Sequence, residues 1–383
     1  FNFKIMIIGI DASNIKEGGG VTHLVNLLKA SNPKKHNFIK IVIWCNKQIY
    51  PLIPNKKWIS KKIIFDGNIN FIKMFIWQKF FLSNKAKKER CAKLFFPGGI
   101  YFGKFRPYIT MSQNMIPFEE KELKRYFPSI KFVKFLLIKI AQIYTFKRAQ
   151  NIIFLTSYAK KKILNTIQIK KKFKIIEHGI DESLKKKIVF KKKKFFFNKK
   201  KEFKILFVAT IDKYKHQVNV ILAINSLREK KNWNLKLTLV GDHYGNELNS
   251  LIATMKDLDP NKEWIKYKSK LDRKKLIKLY SQFDLGIFAS SCENLSNIIL
   301  EKISSGLPIV CSNVPSVSFW LKNYENKFNP LNPLSLEKVL VKIIPSNFHR
   351  YKISKNYKIL SNRFNWNLSA KKTFELINKS SLN

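Results

Sequence analysis

The sequence predicts an α/β protein with two domains, each built around a parallel sheet. At 383 residues the chain exceeds a typical single domain, which has roughly 100–150 residues. Short apolar runs alternate along it with longer stretches of helical character, as parallel strands alternate with the helices that connect them. Residues 183–201 interrupt this alternation, because they are rich in lysine and lack apolar periodicity. We therefore interpret them as the linker between two α/β halves or as a surface insertion.

The first half opens with a strand predicted over residues 4–10, followed by a glycine-rich loop and a helix that starts near Val21. The loop contains Gly18, Gly19 and Gly20, which let the backbone approach a ligand closely. Further strands are predicted over residues 38–44, 63–65, 93–96, 108–112, 152–155 and 174–176, and helices over residues 71–82 and 129–148.

The second half shows the same alternation. Strands are predicted over residues 203–209, 235–240, 264–267, 285–289 and 309–311, and helices over residues 276–283, 335–344 and 357–377. A further helix is predicted to begin near Ser296, because Ser and Asn are preferred residues for capping a helix start.

Residues 283–313 contain a candidate ligand site, because a buried strand is followed there by a polar loop, a helix and another strand. In open parallel sheets such a loop lies at the carboxyl ends of the strands, where ligands bind. The helix start supplies backbone N–H groups that suit a phosphate. These groups belong to Leu295, Ser296 and Asn297. Glu293 on the loop and Glu301 in the helix can accept hydrogen bonds from sugar hydroxyls, so the segment predicts a pocket for a nucleotide sugar.

The segment ENLSNIILE, followed by SSGLPIV, resembles the E-x7-E signature of retaining glycosyltransferases of family 4, also called glycosyltransferase group 1. TSYA, after a strand, and HGID, at the end of the first domain, are similar to two further elements of that family. The resemblance covers nearly the whole chain and implies the GT-B fold, in which two Rossmann-like doubly wound domains face each other across a cleft. It implies an acceptor-side domain over residues 1–183, a lysine-rich linker over 184–202, a nucleotide-sugar-binding domain over 203–362, and a C-terminal helix over 363–383 that packs back on the first domain.

The resemblance also implies roles on the donor side, with Glu293, Glu301 and Lys215 as the catalytic group. Glu301 would accept hydrogen bonds from the ribose hydroxyls, while Glu293 would contact the transferred sugar and phosphate. Lys215 matches the family's diphosphate-binding lysine, whereas Thr210 stands where an arginine is common. The remaining donor-side residues are Gly241, which ends a strand, and Lys270, in a segment whose backbone would border the base.

On the acceptor side, the resemblance points to the glycine-rich loop and to the residues after the strand at 108–112. Many members of the family have a histidine in this second region, where this chain has Gln113 and Asn114. A carboxamide hydrogen-bonds sugar hydroxyls but does not titrate near neutral pH. We therefore interpret both residues as positioning a sugar or the acceptor.

The formal net charge of +49 has two interpretations. Lysine enrichment of the whole composition would place lysines on solvated surfaces, or a basic face would attract anionic lipid or an anionic glycan. No nucleic-acid recognition module is visible in the sequence, so nucleic acid is not an expected partner. Four cysteines without a CxxC pair, and the lack of a signal-peptide pattern, predict a cytoplasmic protein that could also lie on the cytoplasmic face of the membrane.

The predicted function is transfer of a sugar from a nucleotide-sugar donor to a polysaccharide or lipid-linked glycan, with retention of configuration. No cofactor is expected, since the nucleotide sugar is a substrate. No metal is expected either, because no DxD-like carboxylate pair follows a suitable strand. The alternatives are another GT-B nucleotide-sugar enzyme such as a 2-epimerase, and a non-catalytic basic binding protein.

Overall fold

The structure is a computed structural model of the chain. It describes residues 6–65, 70–168, 172–181, 184, 197–243, 245–318, 321 and 326–379. Two compact units divide the chain: unit 1 combines Phe1–Gly179 with Phe364–Asn383, and unit 2 is Ile180–Arg363. The central part of the predicted linker, residues 185–196, lies outside the described residues.

Unit 1 is built around a parallel sheet. Its strands are β1 (Met6–Asp11), β2 (Phe38–Cys45), β3 (Ile59–Ile63), β4 (Cys91–Phe96), β5 (Tyr108–Ser112), β6 (Asn151–Phe154) and β7 (Phe173–Ile175). Within the described part of the chain they form a seven-stranded sheet in the order β3-β2-β1-β4-β5-β6-β7. Strands β5 and β6 are buried at every position, as expected for strands that are covered on both faces.

The strand predicted over residues 63–65 is misplaced, because β3 ends at Ile63. Its sequence, ISKKI, is half-buried at best and includes Lys61 and Lys62. Such a sequence lacks the continuous apolar run that marks a central strand, but it is tolerated here because β3 lies at the sheet edge and pairs with β2.

Among the described helices that precede β7 in unit 1, the structure differs most from the prediction around residues 71–82. They are α1 (Gly18–Ala30), α2 (Pro33–His36), α3 (Phe71–Ile76), α4 (Leu82–Lys88), α5 (Glu120–Lys124), α6 (Ile130–Arg148) and α7 (Ser157–Ile167). A π-helical turn at Trp77–Phe81 joins α3 to α4, so the predicted single helix is longer and contains an irregular centre. Side-chain caps begin α6 and α7: Ser129 accepts from the N–H of Phe132, and Thr156 accepts from that of Ala159.

Unit 2 has the same type of architecture. Its strands are β8 (Phe203–Val208), β9 (Leu235–Val240), β10 (Ile265–Lys268), β11 (Leu285–Phe288), β12 (Ile309–Ser312) and β13 (Lys327–Phe328). Its helices are α8 (Gln217–Lys231), α9 (Glu247–Leu258), α10 (Arg273–Tyr280), α11 (Asn297–Ser305), α12 (Pro315–Ser318), α13 (Pro333–Ile343) and α14 (Asn347–Ser361). Among the described residues the parallel sheet has six strands in the order β10-β9-β8-β11-β12-β13. The two sheets confirm the predicted α/β fold with two doubly wound units.

The prediction of one terminal helix over residues 357–377 is wrong, because α14 ends at Ser361 and a separate helix, α15 (Trp366–Lys379), follows. The side-chain oxygen of Asn365 accepts a hydrogen bond from the N–H of Asn367 at 2.7 Å, so a new helix starts there. Helix α15 belongs to unit 1. There the ammonium of Lys93 on β4 donates to the carbonyl oxygens of Ile377 and Asn378 at the end of the helix, at 2.6 and 2.9 Å.

Both sheets reverse their strand order once. In unit 1 the chain adds β2 and β3 on one side of β1 and then continues on the other side with β4. In unit 2 it adds β9 and β10 beside β8 and then continues with β11. Ligands of doubly wound sheets bind at the carboxyl ends of the strands on either side of such a reversal. In this chain the loops after β1, β4, β8 and β11 lie at those ends.

No helix within the described residues is both long enough and apolar enough to span a lipid bilayer.

Candidate active site

The loops after β8 and β11 are joined by backbone hydrogen bonds at the strand-order reversal of unit 2. The N–H of Ser291 donates to the carbonyl oxygen of Tyr214 at 2.9 Å, which links the two loops directly. The carbonyl oxygen of Ser290 accepts from the hydroxyl of Ser312 at 2.6 Å, which ties the second loop to the end of β12. The two loops therefore form one fixed surface at the carboxyl end of the sheet.

A buried ion pair lies on this surface. Lys215 ends a 3₁₀ turn after β8, and its ammonium donates to the carboxylate of Glu293 and to the hydroxyl of Ser290, the latter at 3.1 Å. The side chains of Lys215 and Glu293 are only 7% and 13% exposed. The ring of Tyr214 lies 4.4 Å from the same ammonium and adds a cation–π contact. Lys215, predicted to bind the donor diphosphate, and Glu293, predicted to contact the transferred sugar and phosphate, thus contact each other directly.

Neighbouring polar groups fix the geometry of the pair. Burial, and after it the negative charge of Glu293, raises the pKa of the Tyr214 phenol well above its ordinary value. His216 adopts a left-handed backbone with φ of 56°, and its Nε2 lies 2.8 Å from the hydroxyl of Ser291. Helix α8 begins with the next residue, Gln217, whose amide donates to the carbonyl oxygen of Thr210 at 3.0 Å. Thr210 is therefore held on the same loop as Lys215, through its backbone.

Helix α11 begins beside Glu293. Ser296 is its N-cap residue and Asn297 its first helical residue, so the first-turn N–H groups lie at the carboxyl end of β11. Leu295 is buried, which leaves its backbone rather than its side chain for polar contacts. Glu301 lies in the second turn of α11 and is half-buried. The structure thus places the predicted helix start next to the ion pair.

Gly241 and Lys270 lie further away, towards the sheet edge. A side chain at Gly241 would overlap the carbonyl oxygen of Ala209, so the end of β9 can approach the end of β8 only with glycine there. Lys270 is exposed and follows β10, which is separated from β11 by β9 and β8. At about 4.8 Å between neighbouring strands, β10 lies roughly 14 Å from β11, the strand before the loop that carries Glu293.

Lys302 is a charged residue of this region that was not predicted as part of the site from the sequence. It is completely buried, and its ammonium donates to the carbonyl oxygen of Ile287 at 2.7 Å. The rings of Phe207 and Phe288 lie 5.7 and 6.0 Å from the ammonium. Burial, and then the positive charge of Lys215, lowers its pKa to about 7. The sequence contains one indication of this burial: Lys302 lies three residues after the apolar Ile299 on α11, and residues with that spacing share one face of a helix.

Unit 1 has its own polar cluster at the end of β1. The Asp11 carboxylate is buried and accepts from the amide of Gln78 at 2.7 Å, the indole of Trp77 at 3.2 Å and the hydroxyl of Ser13 at 2.9 Å. Burial raises the pKa of Asp11, and these hydrogen bonds act in the opposite direction. The π-helical turn between α3 and α4 supplies both Trp77 and Gln78. An aspartate directly after the first strand was visible in the sequence, but its two partners were not.

The prediction that Gly18, Gly19 and Gly20 form a loop before the helix is wrong, because α1 starts at Gly18. Glycine is the weakest helix former after proline, which made a loop the expected choice. Gly18 retains one loop-like feature, a positive φ of 66°. A side chain added at Gly20 would lie 3.6 Å from the Oε1 atom of Gln113, so these two predicted acceptor-side positions are neighbours.

Gln113 and Asn114 have different surroundings. The amide of Gln113 donates to the carbonyl oxygen of Pro97 at 2.9 Å, which places it beside the loop after β4. The side-chain oxygen of Asn114 accepts from the N–H of Ile116 at 3.1 Å and supports the following 3₁₀ turn. Gln113 therefore lies at the strand-order reversal of unit 1, whereas Asn114 shapes the adjacent turn.

The histidine of the HGID segment is buried in unit 1. The Nδ1 atoms of His178 and His23 are 3.0 Å apart, and the ring of Trp366 on α15 lies 5.7 and 5.5 Å from the two imidazoles. Burial lowers the pKa of His23 to about 3 and that of His178 well below its usual value. The pair is therefore neutral at physiological pH and holds the start of α15.

The described residues include no group of three or more His, Cys, Asp or Glu side chains arranged to hold a metal ion.

Residues 189–358 match the family model of glycosyl transferases group 1. The matched stretch contains Lys215, Glu293 and Glu301. The chain carries a group 1 glycosyltransferase domain. That domain brings a lysine, two carboxylates and a helix start to one end of a parallel sheet, a combination that can bind phosphate and sugar hydroxyls.

Solved structures similar to this chain have the GT-B fold, which confirms the predicted fold class. Sucrose-phosphate synthase from Thermosynechococcus elongatus is 14% identical, with a TM-score of 0.76 and coverage of 97% of this chain and 98% of that one. HepE from Anabaena, solved in complex with UDP and glucose, is 14% identical, with a TM-score of 0.69 and coverage of 98% and 100%. A glycosyltransferase from Rickettsia africae is 16% identical, with a TM-score of 0.69 and coverage of 99% of each chain. No curated protein matches the sequence.

Proposed function

We propose that the protein is a retaining glycosyltransferase of family 4 that moves a sugar from a nucleotide-sugar donor to a polysaccharide or glycolipid acceptor. The observation that carries this proposal is the buried Lys215–Glu293 pair at the strand-order reversal of the group 1 domain. A buried charge pair is costly to keep in a folded protein, and buried charges cluster at functional sites for that reason.

In the proposed reaction the donor diphosphate lies beside Lys215. The bond between the sugar and the diphosphate breaks, a bond from the sugar to the acceptor oxygen forms on the same face, and the acceptor proton passes to the leaving phosphate. The Lys215 ammonium and the first-turn N–H groups of α11 stabilise the negative charge that develops on the leaving oxygen. Glu301 accepts hydrogen bonds from the ribose, and Glu293 contacts the transferred sugar. We propose that the reaction needs no metal, since a lysine cation already lies at this position.

A uridine nucleotide sugar is the first donor to test. HepE, which shares the fold, was solved with UDP and glucose, and this supports a UDP-hexose without identifying it. The acceptor is proposed to be a surface polysaccharide or a lipid-linked glycan at the cytoplasmic face of the membrane. The net charge of +49 supports an anionic acceptor or an anionic membrane surface as the partner.

The donor site is tested by thermal denaturation with UDP-, GDP- and ADP-sugars at low and moderate salt. A ligand that binds the folded state raises the melting temperature, by an amount equivalent to about 2.7 kcal/mol at one hundred times its dissociation constant. We expect a shift with one nucleotide class only, and its loss in Glu301→Ala. The matched control is Glu229→Ala, which removes an exposed carboxylate of the same unit and should keep the shift.

Four results would contradict the proposal or parts of it. Shifts with every polyanion that disappear in salt would mean that net charge alone is responsible. A full shift in Glu301→Ala would remove that residue from the site. Incubation with donor and acceptor in EDTA should yield a product that has the donor's anomeric configuration, as measured by NMR. An inverted product would refute the retaining mechanism, and a requirement for metal would refute the metal-independent reaction.

A further inference from the structure

Helix α6 of unit 1 exposes a stripe of aliphatic side chains along one face. Ile130 is 90% exposed and Ile140 is 64% exposed, and Val133 and Leu137 between them are also exposed. The spacing of three, four and three residues places all four on one side of the helix. Isolated exposed apolar residues are ordinary, but a continuous stripe of large ones indicates an interaction surface.

A second stripe follows the helical segment formed by α3 and the π-helical turn. Ile72 is 66% exposed and Phe80 is 61% exposed, and Ile76 lies exposed between them. The spacing of four residues again places these side chains along one face. This segment therefore repeats the pattern of α6.

The two helical segments pack against the same part of unit 1, the loop that follows β4. Met74 on α3, Ile100 on the loop and Ala141 on α6 form one buried cluster. The ring of Phe102 on this loop lies 5.0 Å from that of Phe75 and 6.0 Å from that of Tyr144. The two stripes thus flank one hydrophobic cluster, and we refer to them together as the α3–α6 surface.

The charged residues within the two helical stretches that carry the stripes are all basic. Residues 70–88 and 129–148 contain no aspartate or glutamate. Each stretch instead carries five basic residues. These are Lys73, Lys79, Lys85, Lys87 and Lys88 in the first, and Lys131, Lys134, Lys139, Lys147 and Arg148 in the second. Basic residues beside an exposed apolar face are the combination that binds anionic lipid headgroups while apolar side chains enter the boundary of the acyl chains.

We propose that the α3–α6 surface docks unit 1 on an anionic lipid bilayer. Single-signed charge favours an anionic partner, and the aliphatic stripes favour lipid over nucleic acid, which is recognised by charge and base contacts. The inference rests on the proposed function for its purpose, since docking would bring the enzyme to a lipid-linked acceptor. Its test is independent of the donor site, because these helices belong to unit 1 and the donor residues belong to unit 2.

The test is co-sedimentation with vesicles of phosphatidylcholine, with and without phosphatidylglycerol. The wild-type protein should bind the anionic vesicles at least about tenfold more tightly than the neutral ones. The double variant Ile130→Ser/Ile140→Ser should weaken binding to anionic vesicles by at least about tenfold, because two exposed aliphatic side chains no longer enter the membrane. Its matched control is Leu331→Ser/Leu334→Ser, which changes two similarly exposed leucines of unit 2 and should bind as the wild type does.

Several outcomes would overturn the inference. Equal binding by the wild type and the Ile130/Ile140 variant would show that charge alone attracts the vesicles. Equal loss in the Leu331/Leu334 control would show that the effect does not belong to this surface. Sedimentation velocity is run in parallel to detect self-association of the wild type. If the Ile130/Ile140 variant loses self-association, the Leu331/Leu334 control keeps it, and vesicle binding is unchanged, the surface binds a second copy of the chain instead of a bilayer. The thermal shift with the donor should be the same in both variants, so failure at the membrane remains distinguishable from failure of the donor site.

Discussion

Replacing Lys302 with methionine should make the folded protein more stable, and more so at low pH. The side chain is completely buried, and its pKa is about 7 instead of the ordinary 10.5. Each factor of ten in proton affinity corresponds to about 1.4 kcal/mol, so ionised Lys302 destabilises the folded state by roughly 4–5 kcal/mol at pH 6. At pH 9 the folded side chain is neutral, and the remaining cost is about 2 kcal/mol.

The sign follows from proton binding. Between pH 7 and 10.5 the unfolded chain holds a proton on Lys302 that the folded chain has released. The contribution of Lys302 to wild-type stability therefore falls as the pH is lowered through this window and levels off below pH 7. Methionine of similar length removes this dependence. It also removes the donor to the carbonyl of Ile287. The loss of the bond made by the neutral amine is the same at both pH values and cancels in the comparison, and the greater strength of the bond made by the ammonium is already contained in the folded-state pKa.

Scanning calorimetry at pH 6 and pH 9 measures the effect. The gain in melting temperature of Lys302→Met over the wild type should be roughly 5–10 °C larger at pH 6 than at pH 9, as expected for about 2–3 kcal/mol in a unit of this size. Lys266→Met, which removes an exposed lysine of the same unit, is the control and should show no such difference. An equal change at both pH values in Lys302→Met would refute the assignment of a neutral, buried lysine.

Three further variants test other contacts. Glu293→Gln should lower the free energy of unfolding by roughly 3 kcal/mol, because it leaves the Lys215 ammonium buried without its carboxylate, and adding Lys215→Met should restore most of the loss. A double-mutant cycle of denaturation free energies measures this coupling, and additive effects of the two substitutions would contradict it. Gly241→Ala should lower the melting temperature by several degrees because the added methyl group overlaps a backbone carbonyl, and an unchanged melting temperature would show that the loop can shift. Wild-type stability should also fall as the pH drops from 6.5 towards 3, because the imidazoles of His23 and His178 bind protons in the unfolded chain but stay neutral in the folded one. The dependence of unfolding free energy on pH should be weaker in His178→Asn.

Much of the fold was predictable from local sequence. Runs such as residues 235–240 and 108–112 are short, mostly apolar and bounded by polar turns, and both are strands with the predicted limits. Prediction failed where a longer-range partner decides the structure. Strand β3 is stabilised by its neighbour β2 in spite of its lysines, and α1 incorporates three glycines that a local reading assigns to a loop.

The candidate site was predictable to a similar extent. Glu293, Glu301 and Lys215 stand out because polar residues follow strand-like runs and match a motif. Their contacts could not be derived, because the loops after β8 and β11 are brought together by the strand order, which separates Lys215 from Glu293 by 78 residues of sequence. The burial of Lys302 depends on which face of α11 covers the sheet, and the hydrophobic pattern of the helix indicates that only indirectly.

The connection of α15 to unit 1 has a consequence for the synthesis of the protein. Unit 2 is continuous in sequence, whereas unit 1 needs residues on both sides of it. During translation the sheet of unit 1 leaves the ribosome first, yet its Lys93, His36 and Phe38 meet their partners on α15 only after about 184 further residues, from Ile180 to Arg363, have been made. At roughly 5–20 residues per second, the nascent first unit waits for about 10–40 seconds with that face uncovered. A chaperone that shields this face, or a slow stretch of messenger RNA before residue 180, would therefore act on unit 1 and leave the folding of unit 2 unchanged.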